Sequence, residues 1–260
     1  MDRLPILAGG REVSHLAVRF DAPPRSGDAG PALPCFLYLH GFGSDQSGEK
    51  AEHFRRRALE EGFPFCSFDF QGHGRSGGDM AGLTLTRNLE DVGRVHTFLR
   101  DRDCGRLILL GSSMGGGTAL WYSALHPEEI VAGLHLAPAL ELEKGLLAWA
   151  GPERAQEWEE TGRIHFENDL VSCELGWTLI EDLRAYPAEA LLSRYRTPAL
   201  LLQGKLDTSV SWKSVARFAT CCTYQEIEIH LFADGDHRMT DRKGRLWELM
   251  VEFLRGRALI

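Results

Sequence analysis

The chain has 260 residues, enough for one sizeable hydrophobic core. With 43% hydrophobic and 25% charged residues it has the composition of a soluble globular protein, not of a disordered or fibrous one. A formal net charge of -8 is the opposite of a general nucleic-acid binder's basic footprint, and no apolar run approaches the roughly 20 residues that cross a bilayer.

Taken in chain order, the N-terminus Met1-Asp2-Arg3-Leu4-Pro5 lacks the apolar stretch and small-residue cleavage site of a signal peptide, so a cytoplasmic location is expected. Two short runs, Pro5 to Leu7 and His15 to Phe20, flank Gly9-Gly10 and predict an antiparallel hairpin. Ala22 to Pro31 is a loop by composition. Strands are then predicted at Cys35–Leu39, Phe65–Phe70, Leu107–Leu110, Ile130–Leu136, Ala199–Leu202 and Ile227–Phe232. Helices are predicted over 48–61, 83–99, 116–126, 211–220 and 241–254; in the second, Leu85, Leu89, Val92, Val95 and Leu99 recur near helix spacing. Continuously apolar strands alternating with helices imply an α/β chain whose mostly parallel sheet is covered on both faces. Residues 138–198 interrupt that rhythm and carry Trp149, Trp158 and Trp177. So long a structureless loop is improbable in a compact domain, and the segment is expected to be a helical cap inserted in a single domain spanning 1–260.

Of the six cysteines, Cys35 and Cys66 fall in predicted buried strands and Cys221-Cys222 are adjacent. No C-x-x-C pair occurs, so neither a disulfide framework nor a zinc site is expected.

The strongest chemical signal is Gly111-Ser112-Ser113-Met114-Gly115, a G-x-S-x-G run between a predicted strand and a predicted helix. In that context the chain turns so sharply that the central serine needs small neighbours, and its hydroxyl projects above the carboxyl end of the sheet. Ser113 is therefore the candidate nucleophile, and Ser112 lies off the centre of the motif. A serine hydroxyl needs a base. Of ten histidines, His237 sits in the polar turn Asp234-Gly235-Asp236-His237 after the last strand, in the order Ser, acid, His along the chain. Its acid partner is expected to be Asp207, on the loop after the strand at 199–202, with Glu141 as runner-up. Asp234 and Asp236 are too close to His237, and Asp69 precedes Ser113. His40-Gly41-Phe42-Gly43 follows the first parallel strand. Its glycines permit close approach of backbone to a ligand, and the amides of Phe42 and Met114 are the expected oxyanion-hole donors. The same glycines do not continue into a phosphate-binding fingerprint. His40 is expected to be structural, and His73 a loop residue.

With these residues in view, the chain from about Cys35 onward resembles the α/β-hydrolase superfamily. The resemblance rests on 40–43, on Asp69-Phe70-Gln71-Gly72-His73-Gly74-Arg75-Ser76, on 111–116, on Asp207 and on His237. Within it, Gly111 to Gly116, Gln203-Gly204-Lys205-Leu206-Asp207 leading to Trp212, and Asp236-His237-Arg238-Met239 are similar to a branch of palmitoyl-protein thioesterases and acyl-glucuronide esterases. What this implies is hydrolysis of acyl esters or thioesters of small-molecule type by Ser113, Asp207 and His237, with no cofactor and no metal. Ester and thioester use the same triad and stay open here. The fold also hosts non-catalytic members, so a binding module is the third alternative; a complete candidate triad speaks against it. The large apolar residues Leu140, Leu142, Leu146, Leu147, Trp149, Trp158, Phe166, Leu170 and Trp177 are expected to make an acyl pocket under the cap, or else to pack the cap onto the sheet.

Overall fold

The computed structural model describes residues 1–24, 33–168 and 171–260. Most of the loop expected at Ala22 to Pro31, and Leu170, lie outside the described residues. The described residues form an eight-stranded sheet in the order β1-β2-β4-β3-β5-β6-β9-β10. The strands are β1 (Asp2–Ala8), β2 (Arg11–Asp21), β3 (Cys35–Leu39), β4 (Phe65–Phe68), β5 (Leu107–Ser112), β6 (Ile130–Leu136), β9 (Ala199–Gly204) and β10 (Ile227–Phe232). β1, β2 and β4 pair antiparallel and all other neighbours are parallel. The Gly9-Gly10 turn closes the first hairpin with both glycines at positive φ, where a Cβ would be strained.

Helices cover both faces, as the apolar strands require. β3, β5, β6 and β9 are buried along their whole length, and alternate residues point to opposite sides. Leu37, Leu39, Leu107 and Leu109 pack with Val92 and Val95 of α2 (Leu85–Arg100) and Leu120 of α3 (Met114–Leu125). Phe36, Tyr38, Ile108 and Leu110 pack with Phe54 of α1 (Glu49–Glu60) and with Trp247 and Met250 of α8 (Lys243–Gly256). Each such side chain, taken from water to full burial, contributes about 1.5–3 kcal/mol. Against this scaffold α7 (Trp212–Cys221) buries Val215 and Phe218.

The segment between β6 and β9 departs from a purely helical cap. It holds α4 (Leu142–Thr161), α5 (Thr178–Arg184) and α6 (Ala188–Arg194), but also an antiparallel hairpin of β7 (Arg163–Glu167) and β8 (Ser172–Gly176). β7 alternates exposed Arg163, His165 and Glu167 with buried Ile164 and Phe166, a period of two that a helix cannot present as one face. α4 is broken at Gly151, which has φ 74°, with Pro152 following. Trp158 donates its indole N–H to the Leu175 carbonyl at 3.0 Å and meets Trp177 edge-on at 5.4 Å. These two tryptophans bind the hairpin to α4. The hairpin in turn rests on the 80–82 turn, where a Cβ on Gly176 would stand 2.4 Å from the Ala81 carbonyl oxygen.

Candidate active site

Ser113 joins β5 to α3 with φ 54° and ψ -118°, a conformation that costs a non-glycine residue about 1–3 kcal/mol. The surroundings over-determine it. The Ser113 N–H donates to the Leu136 carbonyl at 2.9 Å, and its carbonyl accepts from Gly117 and Ala139, each at 3.0 Å. The flanking glycines are obligatory: a Cβ on Gly111 would lie 2.5 Å from the Gly115 carbonyl oxygen, and one on Gly115 only 2.2 Å from that of Leu39. Hence α3 packs tightly on the end of β3 and points its N-terminus into the site.

The structure brings Ser113, His237 and Asp207 together. His237 Nε2 is 3.1 Å from Ser113 Oγ, and His237 Nδ1 is 2.7 Å from Asp207 Oδ2. The Asp207 side chain is fully enclosed, while that of His237 is 26% exposed, so the imidazole stands between a buried anion and the opening. Burial alone would raise the Asp207 carboxyl. Hydrogen bonds from His237, the Val210 amide and Gln203, with the nearby imidazole's charge, outweigh it and hold the group below the usual carboxylate range. Asp207 Oδ1 accepts the Ser209 and Val210 amides at 2.8 Å each, and Oδ2 accepts Gln203 Nε2 at 2.9 Å. Gln203 is a positioning residue that the motif reading missed; it is a polar residue at the end of an otherwise apolar strand, which was the available signal.

Phe42 follows β3 on the loop beside Ser113, where a Cβ on Gly41 would lie 3.3 Å from Ser113 Cβ. The Gly41 carbonyl accepts from His40 Nδ1 at 2.8 Å and from the Ser44 amide at 3.2 Å. The Phe70 amide donates to His40 Nε2 at 3.0 Å, so the ring proton sits on Nδ1. Burial pushes His40 down to about 4, against the Gly41 hydrogen bond and Asp45, and the ring is neutral at neutral pH. Since a trans peptide points its C=O and N–H oppositely, anchoring the Gly41 carbonyl orients the Phe42 N–H. Met114 is the first residue of α3, whose amide has no partner within the helix.

The other candidates fall elsewhere. Ser112 is buried and its hydroxyl accepts from Lys50. Glu141 stands just before α4 and pairs with Lys144. Asp69 accepts the Gln46 and Arg75 amides and shapes the 70–76 turn. Asp234 pairs with Arg242, and Asp236 accepts the Met239 amide. His73 is buried, its ring 5.0 Å from that of His40.

A cavity of about 810 Å³ opens over Ser113 and His237. Leu142, Leu146, Trp149 and Phe166 line it, with Phe42, Val210 and Trp212. Trp158 and Trp177 pack into the core instead, and Leu140 lines a second cavity of about 270 Å³ against α2 and α5. Phe166 and Trp149 meet at a tilt with ring centres 4.5 Å apart, and Phe42 meets Phe166 edge-on at 5.1 Å. Among the described residues no group of three or more His, Cys, Asp or Glu is placed to hold a metal ion, and no helix is long and apolar enough to cross a membrane.

Residues 31–167 match the family model described as serine aminopeptidase, S33. The chain is 27% identical over 218 residues to the mouse mitochondrial palmitoyl-protein thioesterase ABHD10, covering 80% of this chain and 70% of that protein. A crystal structure from Agrobacterium vitis S4 superposes with a TM-score of 0.84 at 25% identity, covering 97% of both chains. The esterase Est1E from Butyrivibrio proteoclasticus, solved with ferulic acid bound, superposes at a TM-score of 0.72 with 19% identity over 93% of this chain and 96% of that one; at that identity it speaks to the fold. The family model covers more than half of the sequence, from β3 through the Ser113 turn to the hairpin of the insertion. The chain belongs to the serine aminopeptidase S33 family and is a hydrolase of the α/β-hydrolase fold.

Proposed function

We propose that this hydrolase cleaves acyl esters by nucleophilic catalysis, with Ser113 as nucleophile, His237 as general base and Asp207 as the acid that orients the base. The observation that carries the reading is the unbroken line from Ser113 Oγ to His237 Nε2 at 3.1 Å and from Nδ1 to Asp207 Oδ2 at 2.7 Å. His237 takes the hydroxyl proton as Oγ attacks the acyl carbon, and the imidazolium is stabilised by the Asp207 carboxylate. The Phe42 and Met114 amides receive the charge on the carbonyl oxygen. Collapse expels the alcohol with the proton from His237 and leaves an acyl-Ser113 ester. Water, deprotonated by the same histidine, then releases the acid and restores the serine.

The segment 138–198 serves as the cap over this site and supplies the apolar wall of Leu142, Leu146, Trp149 and Phe166. That wall suits an acyl chain. It does not suit a peptide's free N-terminus: of the carboxylates lining the cavity, Glu141 pairs with Lys144 at 2.5 Å and Asp207 has its oxygens filled. Among the described lining residues, neither carboxylate is left for a substrate ammonium. A thioester substrate is the second reading, favoured by the 27% identity to a palmitoyl-protein thioesterase. The test is labelling by a fluorophosphonate, followed by kcat/KM for oxygen and sulfur esters of one acyl chain. Absence of labelling overturns the serine mechanism; a clear preference for sulfur replaces the first reading by the second.

A further inference from the structure

Lys50 stands in the first turn of α1, the end of a helix at which the dipole disfavours a cation. It is partly buried. Burial pushes it down to about 8; Asp236 and Asp207 oppose that shift and Arg238 adds to it. It therefore remains an ammonium at neutral pH, held where both the helix dipole and burial disfavour one.

Its hydrogen bonds go to two neutral acceptors, and both are next-door neighbours of the site. Lys50 Nζ donates to Ser112 Oγ at 3.1 Å and to the Arg238 carbonyl at 2.9 Å. Ser112 immediately precedes Ser113, and Arg238 immediately follows His237. The Arg238–Met239 peptide is thereby fixed at both polar ends, its carbonyl by Lys50 and its N–H by Asp236 Oδ1 at 2.6 Å. Met239 is in the left-handed region at φ 47° and fully buried, a conformation that a bulky residue keeps only when its surroundings impose it. One ammonium thus spans two segments that no backbone hydrogen bond of the sheet joins directly, since β5 and β10 are not neighbours.

We propose that Lys50 is a positioning residue, whose ammonium ties the segment bearing His237 to the strand end bearing Ser113 and so maintains the Nε2–Oγ contact. The proposal rests on the reading of Ser113 and His237 as nucleophile and base. It also gives the buried hydroxyl of Ser112 a role, as one of the tether's two anchors.

The test compares Lys50→Met, which keeps the aliphatic stem but has no donor, with Lys50→Arg, whose diverging N–H groups can still meet two acceptors. With p-nitrophenyl acetate, Lys50→Met should lower kcat about tenfold or more with KM changed by less than about twofold, because misplacing the base acts on the chemical step. Its Tm should change little, since removing a half-buried cation offsets the two lost hydrogen bonds. Lys50→Arg should recover most of kcat. Ser112→Ala should cost severalfold and be non-additive with Lys50→Met in a double-mutant cycle. The tether is overturned by near-parental kcat in Lys50→Met, by an arginine variant no better than the methionine one, by additive losses, or by a fall in kcat that merely follows a large fall in Tm. Labelling by a fluorophosphonate separates the two levels. A parent that resists it overturns the serine mechanism and the tether with it, whereas a labelled parent with an indifferent Lys50→Met overturns the tether alone.

Discussion

A Cβ on Gly204 would stand 2.3 Å from the carbonyl oxygen of Gly235 and 2.5 Å from that of Asp236. The end of β9, which leads to Asp207, therefore lies in direct backbone contact with the turn that leads to His237. Two hydrogen bonds run beside this contact, Lys205 N–H to the Phe232 carbonyl and Leu206 N–H to that of Gly235, both 2.9 Å. Because the blocking atoms are backbone, Gly204→Ala must push the two loops apart. The expected outcome is a loss of about 10²-fold in kcat, read with p-nitrophenyl acetate, together with a lower Tm. An alanine variant with parental kcat would mean that this contact does not set the acid–base geometry.

Ser113→Ala should abolish fluorophosphonate labelling and most turnover while the far-UV circular dichroism stays that of the parent. Alanine also escapes none of the backbone strain at φ 54°, so no gain in stability is expected. Ser112→Ala should keep labelling and lose only severalfold in rate, as its hydroxyl faces Lys50 and not His237. Labelling that survives Ser113→Ala and vanishes with Ser112→Ala would exchange the two serines' roles.

The central strands that carry the site were legible because each is buried on both faces and reads as a short apolar run; the partly exposed edge strand was legible from Ile227, Ile229, Leu231 and Phe232. Cys35–Leu39, Ile130–Leu136 and Ile227–Phe232 have the expected limits. Ser113, Asp207 and His237 were legible because each follows such a run at the same edge of the sheet. The hairpin at 163–176 was not, although Arg163-Ile164-His165-Phe166-Glu167 alternates polar and apolar. The helical reading came from the improbability of so long a structureless loop, and five residues are too few for periodicity to decide. Gln203 left one signal, a polar residue ending an apolar strand, but its partner Asp207 is set by a turn. Lys50 was invisible because it acts through hydrogen bonds to residues distant in sequence, and local pattern carries no record of such contacts.

Asp207 accepts donors on both oxygens from His237, Gln203, Ser209 and Val210. Asp207→Asn must turn an NH₂ toward one of them, so that either it faces two backbone amides or His237 takes the opposite ring tautomer with Nδ1 as acceptor. It should cost about 1–3 kcal/mol of stability from the lost charge-assisted hydrogen bonds and a kcat loss of order 10³–10⁴ from the wrong tautomer and lost charge. The folded carboxyl lies below its unfolded value. Its contribution to stability is therefore complete above the ordinary value of about 3.9 and is lost as pH falls through the lower folded value. Tm measured from neutral pH downward should show a gap between parent and Asp207→Asn that is constant above about pH 4 and narrows below it. A gap that widens on acidification would reverse the assigned direction.

Acyl length is the measurement that bears most directly on the substrate. The cavity over Ser113 is walled by Leu142, Leu146, Trp149 and Phe166 from the insertion and by Phe42 beside Ser113. Each methylene moved from water into such a wall contributes about 0.8 kcal/mol. Half of that, realised in the transition state, makes two added carbons worth about fourfold in kcat/KM. Across p-nitrophenyl esters from acetyl upward, kcat/KM should therefore climb by about that step until the chain outgrows the wall. Trp149 meets Phe166 at a tilt, ring centres 4.5 Å apart, and its indole is the largest side chain of the wall. Trp149→Ala removes surface that a long chain would touch and an acetyl group beside Ser113 would not need. It should flatten the series while leaving the acetyl ester within about twofold. Thioesters of the same acids should rise in the same way, because the wall meets the acyl chain and not the leaving atom. A steady fall in kcat/KM beyond acetyl, in both series, would mean that the aromatic wall packs the insertion onto the sheet and that the acyl group is small or polar.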